Sequence, residues 1–323
     1  MKDVYILGIE TSCDETSCSI VKNGSLEIST TVLSQIDIHM LYGGVVPEIA
    51  SRNHVKDIVF VIDKCLKDSG LSMDDIDGIS VTYGPGLVGS LLVGIEAAKT
   101  LSYIYNKPLI PVHHIRSHIY ANNIEKALEF PLLALVISGG HTELLYMRDH
   151  FDIEKLGGTL DDAVGECYDK VARVLGISYP GGPVIDKLAF SGKDSYNFSF
   201  SGLKSAVINL SHNLSQRGDV LIPEDLACSF QNVVISSLSS KTMKAVKDLG
   251  VKRLILAGGV SANKGIRECF SKLCKENNID FSYPSIKYCT DNATMVAAAG
   301  YFLYKEKKFG SLELNADSGA KFV

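Results

Sequence analysis

Apolar and polar positions fall into short blocks along this chain, and the same series of blocks occurs twice. Val4 to Gly8 is an apolar run that predicts a strand, followed by the small polar loop Glu10-Thr11-Ser12-Cys13-Asp14-Glu15-Thr16. Further strands are expected over Ser17 to Val21 and Leu26 to Leu33, joined at Lys22-Asn23-Gly24, whose Asn-Gly pair suits a tight hairpin. From Leu132 the order repeats. An apolar run to Ile137 leads into Ser138-Gly139-Gly140-His141-Thr142, then a strand Glu143 to Met147 and a turn at Arg148-Asp149-His150.

A second matched pair follows each meander. Ile79-Ser80-Val81-Thr82 predicts a strand ending in Tyr83-Gly84-Pro85-Gly86-Leu87-Val88-Gly89-Ser90, with a helix through Lys99. Leu254-Ile255-Leu256-Ala257 predicts a strand ending in Gly258-Gly259-Val260-Ser261-Ala262-Asn263, with a helix through Leu273. The copies lie ~130 and ~175 residues apart, so the second half carries an insertion of ~50 residues, expected within 159–205. Two copies of meander, strand, glycine loop and helix predict an α/β fold: the duplicated two-lobed architecture of actin, sugar kinases and Hsp70 ATPases (ASKHA), with a nucleotide cleft between lobes. The expected division is an N-terminal lobe of 1–110, to which 301–323 returns, and a C-terminal lobe of 111–300. The plainer alternative is an α/β protein with ordinary hairpins.

Composition narrows the class. The chain has 323 residues, 46% hydrophobic and 21% charged, and a formal net charge of −5. That balance suits a soluble enzyme and argues against a general nucleic-acid coat. No apolar run reaches the ~20 residues of a membrane helix, and the first ten residues turn acidic too early for a signal peptide, so a cytoplasmic protein is expected. Eight cysteines include no Cys-x-x-Cys pair and predict reduced, mostly buried thiols.

His114 and His118 stand four apart in His113-His114-Ile115-Arg116-Ser117-His118, a spacing that puts both imidazoles on one helical face. Such a pair can share a metal ion, as in zinc proteases, but no carboxylate stands between them to act as a proteolytic base. Asp291 opens an apolar helix, where it can serve as an N-cap, and is the best third ligand. Two histidines and one carboxylate suit iron(II) or catalytic zinc. The loop Ser138-Gly139-Gly140 can bring backbone N–H groups to an anion, and Asn263 sits where an adenosine contact is expected. Glu10 and Asp14 are candidate general bases by location only. Asp161, Asp162, Glu166 and Asp169, close to Tyr179-Pro180-Gly181-Gly182-Pro183, offer carboxylates to a diol or hydroxyl.

Taken together, these segments resemble one family over essentially the whole length: the bacterial tRNA adenosine threonylcarbamoyltransferases, once called glycoproteases. The resemblance rests on Gly8 to Thr16, Gly44 to Arg52, the histidine segment, Ser138 to Thr142, Tyr179 to Pro183, Phe198-Ser199-Phe200-Ser201-Gly202-Leu203-Lys204 and Thr290-Asp291-Asn292-Ala293. It implies that His114, His118 and Asp291 hold iron or zinc. It implies that Val136, Ile137, Ser138, Gly139, Gly140, Asp169, Gly182, Asp186 and Asn263 bind the nucleotide ligand, namely threonylcarbamoyl-adenylate, AMP or ATP. It further implies transfer of the threonylcarbamoyl group to N6 of adenosine 37 in tRNAs reading ANN codons. The implied partners are tRNA, a catalytically dead paralogue (TsaB-like) and a small ATPase (TsaE-like), with no membrane. Arg116-Ser117 departs from the Glu-Gly or Glu-Ala usual in the family, and Val136 stands where archaeal and eukaryotic relatives carry Tyr. The rival readings are a metalloprotease and a sugar kinase or nucleotide-binding module of the same fold.

Overall fold

The computed structural model describes residues 2–167, 195–203, 205, 207, 209, 216 and 223–322. The chain forms two compact units: Met1–Leu128 with Pro284–Val323, and Glu129–Tyr283.

In the first unit, β1 (Tyr5–Glu10), β2 (Glu15–Lys22), β3 (Leu26–Ser34), β4 (Gly78–Gly84) and β5 (Leu109–His113) form one sheet in the order β3-β2-β1-β4-β5. β1 pairs antiparallel with β2 and parallel with β4. The short helix α1 (Ile36–Met40) and the long α2 (Pro47–Ser69) follow β3, α3 (Val88–Tyr105) joins β4 to β5, and α4 (His114–Tyr120) leaves β5 directly.

In the second unit, β6 (Leu132–Ile137), β7 (Thr142–Met147), β8 (Ile153–Gly158), β9 (Arg253–Ala257) and β10 (Asp280–Ser282) have the order β8-β7-β6-β9-β10. Strand for strand this is the topology of the first sheet, with the same parallel and antiparallel pairings. Even the register shift recurs, between Ile20 and Val21 in β2 and between Leu144 and Leu145 in β7. The helices of this unit are α5 (Pro223–Leu249) and α6 (Lys264–Glu276). α7 (Ala293–Lys305) belongs to the first unit.

Alternation along β2 explains the layers of the first unit. Cys18 and Ile20 face a core shared with Ile58, Val61, Leu91 and Ile95 of α2 and α3. Ser17 and Ser19, between them, face α7, where Ser17 Oγ accepts the Ala293 N–H at 2.9 Å and Ser19 Oγ lies 2.9 Å from Thr294 Oγ1. α7 lies unusually close to the sheet because small residues meet there. A Cβ on Gly8 would stand 2.5 Å from the Ala293 carbonyl and 2.9 Å from the Ala297 Cβ.

The units divide at 128/129 and 283/284, not at the expected 110/111 and 300/301. α4 and the whole of α7 go to the first unit because they pack on each other and on its sheet; the rings of Tyr120 and Phe302 lie 5.0 Å apart. Among the described residues no helix is long and apolar enough to cross a membrane. All eight cysteines are thiols.

Candidate active site

α4 begins where β5 ends, so His114 is its first residue and His118 lies one turn on; both are buried. Their Nε2 atoms stand 3.1 Å apart. Asp291 Oδ1 is 3.5 Å from His114 Nε2 and 3.2 Å from His118 Nε2. The liganding atoms of all three residues lie within 4.8 Å of one another.

Asp291 does not cap α7. The cap is its neighbour Asn292, whose Oδ1 accepts the Met295 N–H at 3.0 Å. The offset of one residue leaves the Asp291 carboxylate turned toward the histidines. This arrangement fits a cation. Two imidazole nitrogens at hydrogen-bond distance must either share a proton or point both lone pairs at a positive centre. Burial opposes charge on His114, but Asp291 and Glu10 outweigh it and raise the imidazole to about 9.

Glu10 has a different place from the one its position in sequence suggested. It is wholly buried. Its Oε1 accepts the Ser12 N–H at 2.6 Å, and its Oε2 accepts the Thr82 hydroxyl at 2.6 Å and lies 3.5 Å from His114 Nδ1. A carboxylate so engaged orients the ring, setting the proton on Nδ1 and the lone pair on Nε2. Ser12 Oγ adds a contact to the same nitrogen at 3.3 Å.

Asp14 lies at the end of the loop, where its carbonyl accepts the Gln35 N–H at 3.0 Å. Next to it is a residue the sequence did not single out. Glu15 opens β2 as a buried carboxyl that burial, Asp291 and Asp14 together raise to about 9, so it stays protonated at neutral pH. His54 was also missed. It is fully buried on α2, with Nε2 3.0 Å from the Cys13 carbonyl and Nδ1 2.7 Å from Thr16 Oγ1, and it pins the loop. Burial lowers its pKa. Burial likewise pushes the Cys13 thiol up, which keeps it from acting as a thiolate. Glu15 and His54 gave no distinguishing signal, because both stand among polar neighbours: Asp14 and Thr16 flank Glu15, and Arg52-Asn53 precede His54.

In the second unit the two glycine loops meet at the carboxyl ends of β6 and β9, adjacent parallel strands. Gly258 has φ +87, and a Cβ there would stand 2.5 Å from the Ile137 carbonyl and 3.2 Å from Ser138 Cβ. Only glycine satisfies both the left-handed backbone and the contact. Val136 and Ile137 are fully buried within β6, Ser138 is buried beside them, and Gly139 and Gly140 are exposed. The Ser138 N–H donates to the His141 carbonyl at 2.8 Å, closing the loop. Asn263 caps α6 by accepting the Ile266 N–H at 3.0 Å, and its Nδ2 donates to Gln231 at 3.1 Å. Asp161 accepts from Ser199 Oγ at 2.6 Å and Phe200 N at 2.8 Å, clamping 199–201. Asp169, Gly182 and Asp186 lie outside the described residues.

Comparison with known proteins decides the family. A family model described as tRNA N6-adenosine threonylcarbamoyltransferase (TsaD) matches residues 27–298. The chain belongs to that family. Proteins of that name from Staphylococcus aureus strains MRSA252 and Newman are 56% and 55% identical, each over 98% of this chain and 96% of their own. Among solved structures, the HypF protein of T. kodakarensis has a TM-score of 0.61 at 16% identity, covering 94% of this chain and 48% of that one. Component A of the Acidaminococcus fermentans (R)-2-hydroxyglutaryl-CoA dehydratase has a TM-score of 0.50 at 13% identity, covering 93% and 98%. These two show the fold alone, a duplicated two-lobed α/β architecture.

Proposed function

We propose that this chain transfers the threonylcarbamoyl group from threonylcarbamoyl-adenylate to N6 of adenosine 37, beside the anticodon of tRNAs that read ANN codons, and releases AMP. The observation that carries the reading is membership of the transferase family over nearly the whole chain. The convergence of His114, His118 and Asp291 supports it.

The reaction is acyl transfer from a mixed carbamic–phosphoric anhydride to an aromatic amine. The N6 lone pair attacks the carbamoyl carbon, the bond from that carbon to the phosphate oxygen breaks, AMP leaves, and the amine gives up a proton. His114, His118 and Asp291 would hold one divalent ion, iron(II) or zinc. Such an ion supplies Lewis-acid polarisation of a carbonyl or phosphoryl oxygen. Glu10 keeps His114 in the tautomer that offers Nε2. The backbone of Gly139 and Gly140 faces outward and can donate to phosphate or to a developing oxyanion, where one such donor is typically worth ~3 kcal/mol. Asn263 retains an amide N–H and a carbonyl lone pair beyond its cap and its Gln231 bond, enough to meet an adenosine edge. Asp169, Gly182 and Asp186 are assigned to the same adenylate by the family resemblance. Asp14 remains a candidate to take the proton.

With a net charge of −5, the chain has little general attraction for nucleic acid, so partner proteins, a TsaB-like paralogue and a TsaE-like ATPase, are expected to share the grip on tRNA. The work belongs in the cytoplasm, where tRNA is met. The deciding experiment incubates the protein with threonylcarbamoyl-adenylate and unmodified tRNA, with and without those partners, and measures nucleosides by mass. Threonylcarbamoyladenosine appearing only with this chain present supports the reading; none under any condition overturns it.

A further inference from the structure

The helix that carries both candidate metal ligands is only seven residues long, and its N-cap is a third histidine. His113 Nδ1 accepts the Ile115 N–H at 3.2 Å, the cap bond of α4. An acceptor Nδ1 requires the ring proton on Nε2, and that nitrogen lies 3.1 Å from the carbonyl of Ala320, 207 residues away in sequence. The segment 317–322 is itself fixed in place. The Asp317 N–H donates to the Tyr83 carbonyl at 2.9 Å, and Asp317 Oδ1 and its carbonyl accept from Gly319 N at 3.0 Å and Ala320 N at 3.2 Å. The Phe322 ring packs 4.9 Å from the His113 ring, with the Arg116 guanidinium 5.3 Å from its centroid. Ala320 and His113 are both buried. A seven-residue helix has too few internal hydrogen bonds to hold its own direction, so its placement comes from its ends and from packing.

We propose that His113 and the segment 317–322 form a strap that sets the position of α4, and thereby the separation of His114 and His118 from Asp291. His113 is a positioning residue, and Phe322 locks it from behind. The strap holds the ring through two bonds with different tasks: one starts the helix, the other ties that start to a distant segment. This rests on the reading that the three ligands hold an ion.

The test measures the zinc dissociation constant of purified full-length protein by competition with a chromophoric chelator, beside the melting temperature of the metal-free form. His113→Asn keeps a cap acceptor but cannot reach Ala320. Phe322→Ala removes the lock without touching the cap. Each is expected to weaken zinc binding about tenfold or more, as loss of an orienting partner does, while the metal-free melting temperature moves little. Lys321→Ala, an exposed neighbour in the same segment, is the control and binds as wild type. Zinc affinity unchanged in both variants overturns the strap alone. So does weakening that merely tracks a fall in metal-free stability. Wild-type protein that binds no zinc or iron(II) overturns the metal reading and the strap together.

Discussion

The Nε2 atoms of His114 and His118 face each other at 3.1 Å, with one oxygen of Asp291 within 3.5 Å of both. Three groups drawn this close, one of them anionic, favour positive charge among them. His118→Ala and Asp291→Asn each remove a ligand. Both are expected to abolish stoichiometric metal binding and to lower transfer at least about a hundredfold, which corresponds to ~2.7 kcal/mol of charge stabilisation. Metal content by mass spectrometry and single-turnover transfer check this, and full activity in either variant sinks the ligand assignment.

Glu10→Gln separates two roles for a buried carboxylate. As an orienting group for His114, its loss weakens metal affinity roughly 10–100-fold. As a general base, its loss would leave the affinity alone and remove a limb of the pH–rate profile. Weaker metal binding with the profile's shape retained is the expected pair of results.

The metal-free protein should lose stability as pH rises from about 6.5 to about 9. His114 stands at about 9 when folded against an ordinary 6.5, so its stabilising contribution is complete below 6.5 and disappears as pH climbs through 9. Glu15, raised to about 9 from 4.5 chiefly by burial, acts in the same direction. His113 acts oppositely: burial lowers it to about 4, so its contribution is present above 6.5 and is lost as pH falls through 4. Urea unfolding in chelator at pH 6.5, 7.5 and 8.5 measures the alkaline decline, and His114→Gln should flatten it. Stability that grows over that range would contradict the assignment. Metal affinity should show the reverse trend, rising with pH as His114 gives up its proton.

Asn292→Ala removes the cap of α7 and should cost roughly 1 kcal/mol, whereas Asn292→Asp retains an acceptor and should cost less. Gly8→Ala should cost more than either, about 1–3 kcal/mol or above, because its Cβ meets backbone of the same helix. Thermal melts of metal-free protein rank the three.

Much of the fold could be read in advance because its signals are local. The hairpin at Asn23-Gly24, the two Gly-rich loops and the runs of β-branched residues depend on neighbours in sequence, and the duplication followed from their order. The histidine pair was legible for the same reason, since four residues make one turn. Where partners come from afar, the sequence was silent. Glu10 read as a base because nothing nearby shows that Ser12, Thr82 and His114 would surround it. Asp291 reads as both a cap and a third ligand, because Asn292, one position on and the actual cap, has the same capping chemistry. His113 carries no signal in the sequence because its second partner is 207 residues away. The unit boundary shifted because α4 and α7, far apart in the chain, pack as a pair.

The chain's route through its two units sets an order on synthesis. Two of the three candidate ligands leave the ribosome before residue 129, and the whole of the second unit is made before the third, Asp291. Domains tend to fold as they emerge, so the nascent first unit waits with its histidines and its Ser-lined sheet face uncovered until α7 arrives. The full set of three candidate ligands therefore exists only once that helix is in place.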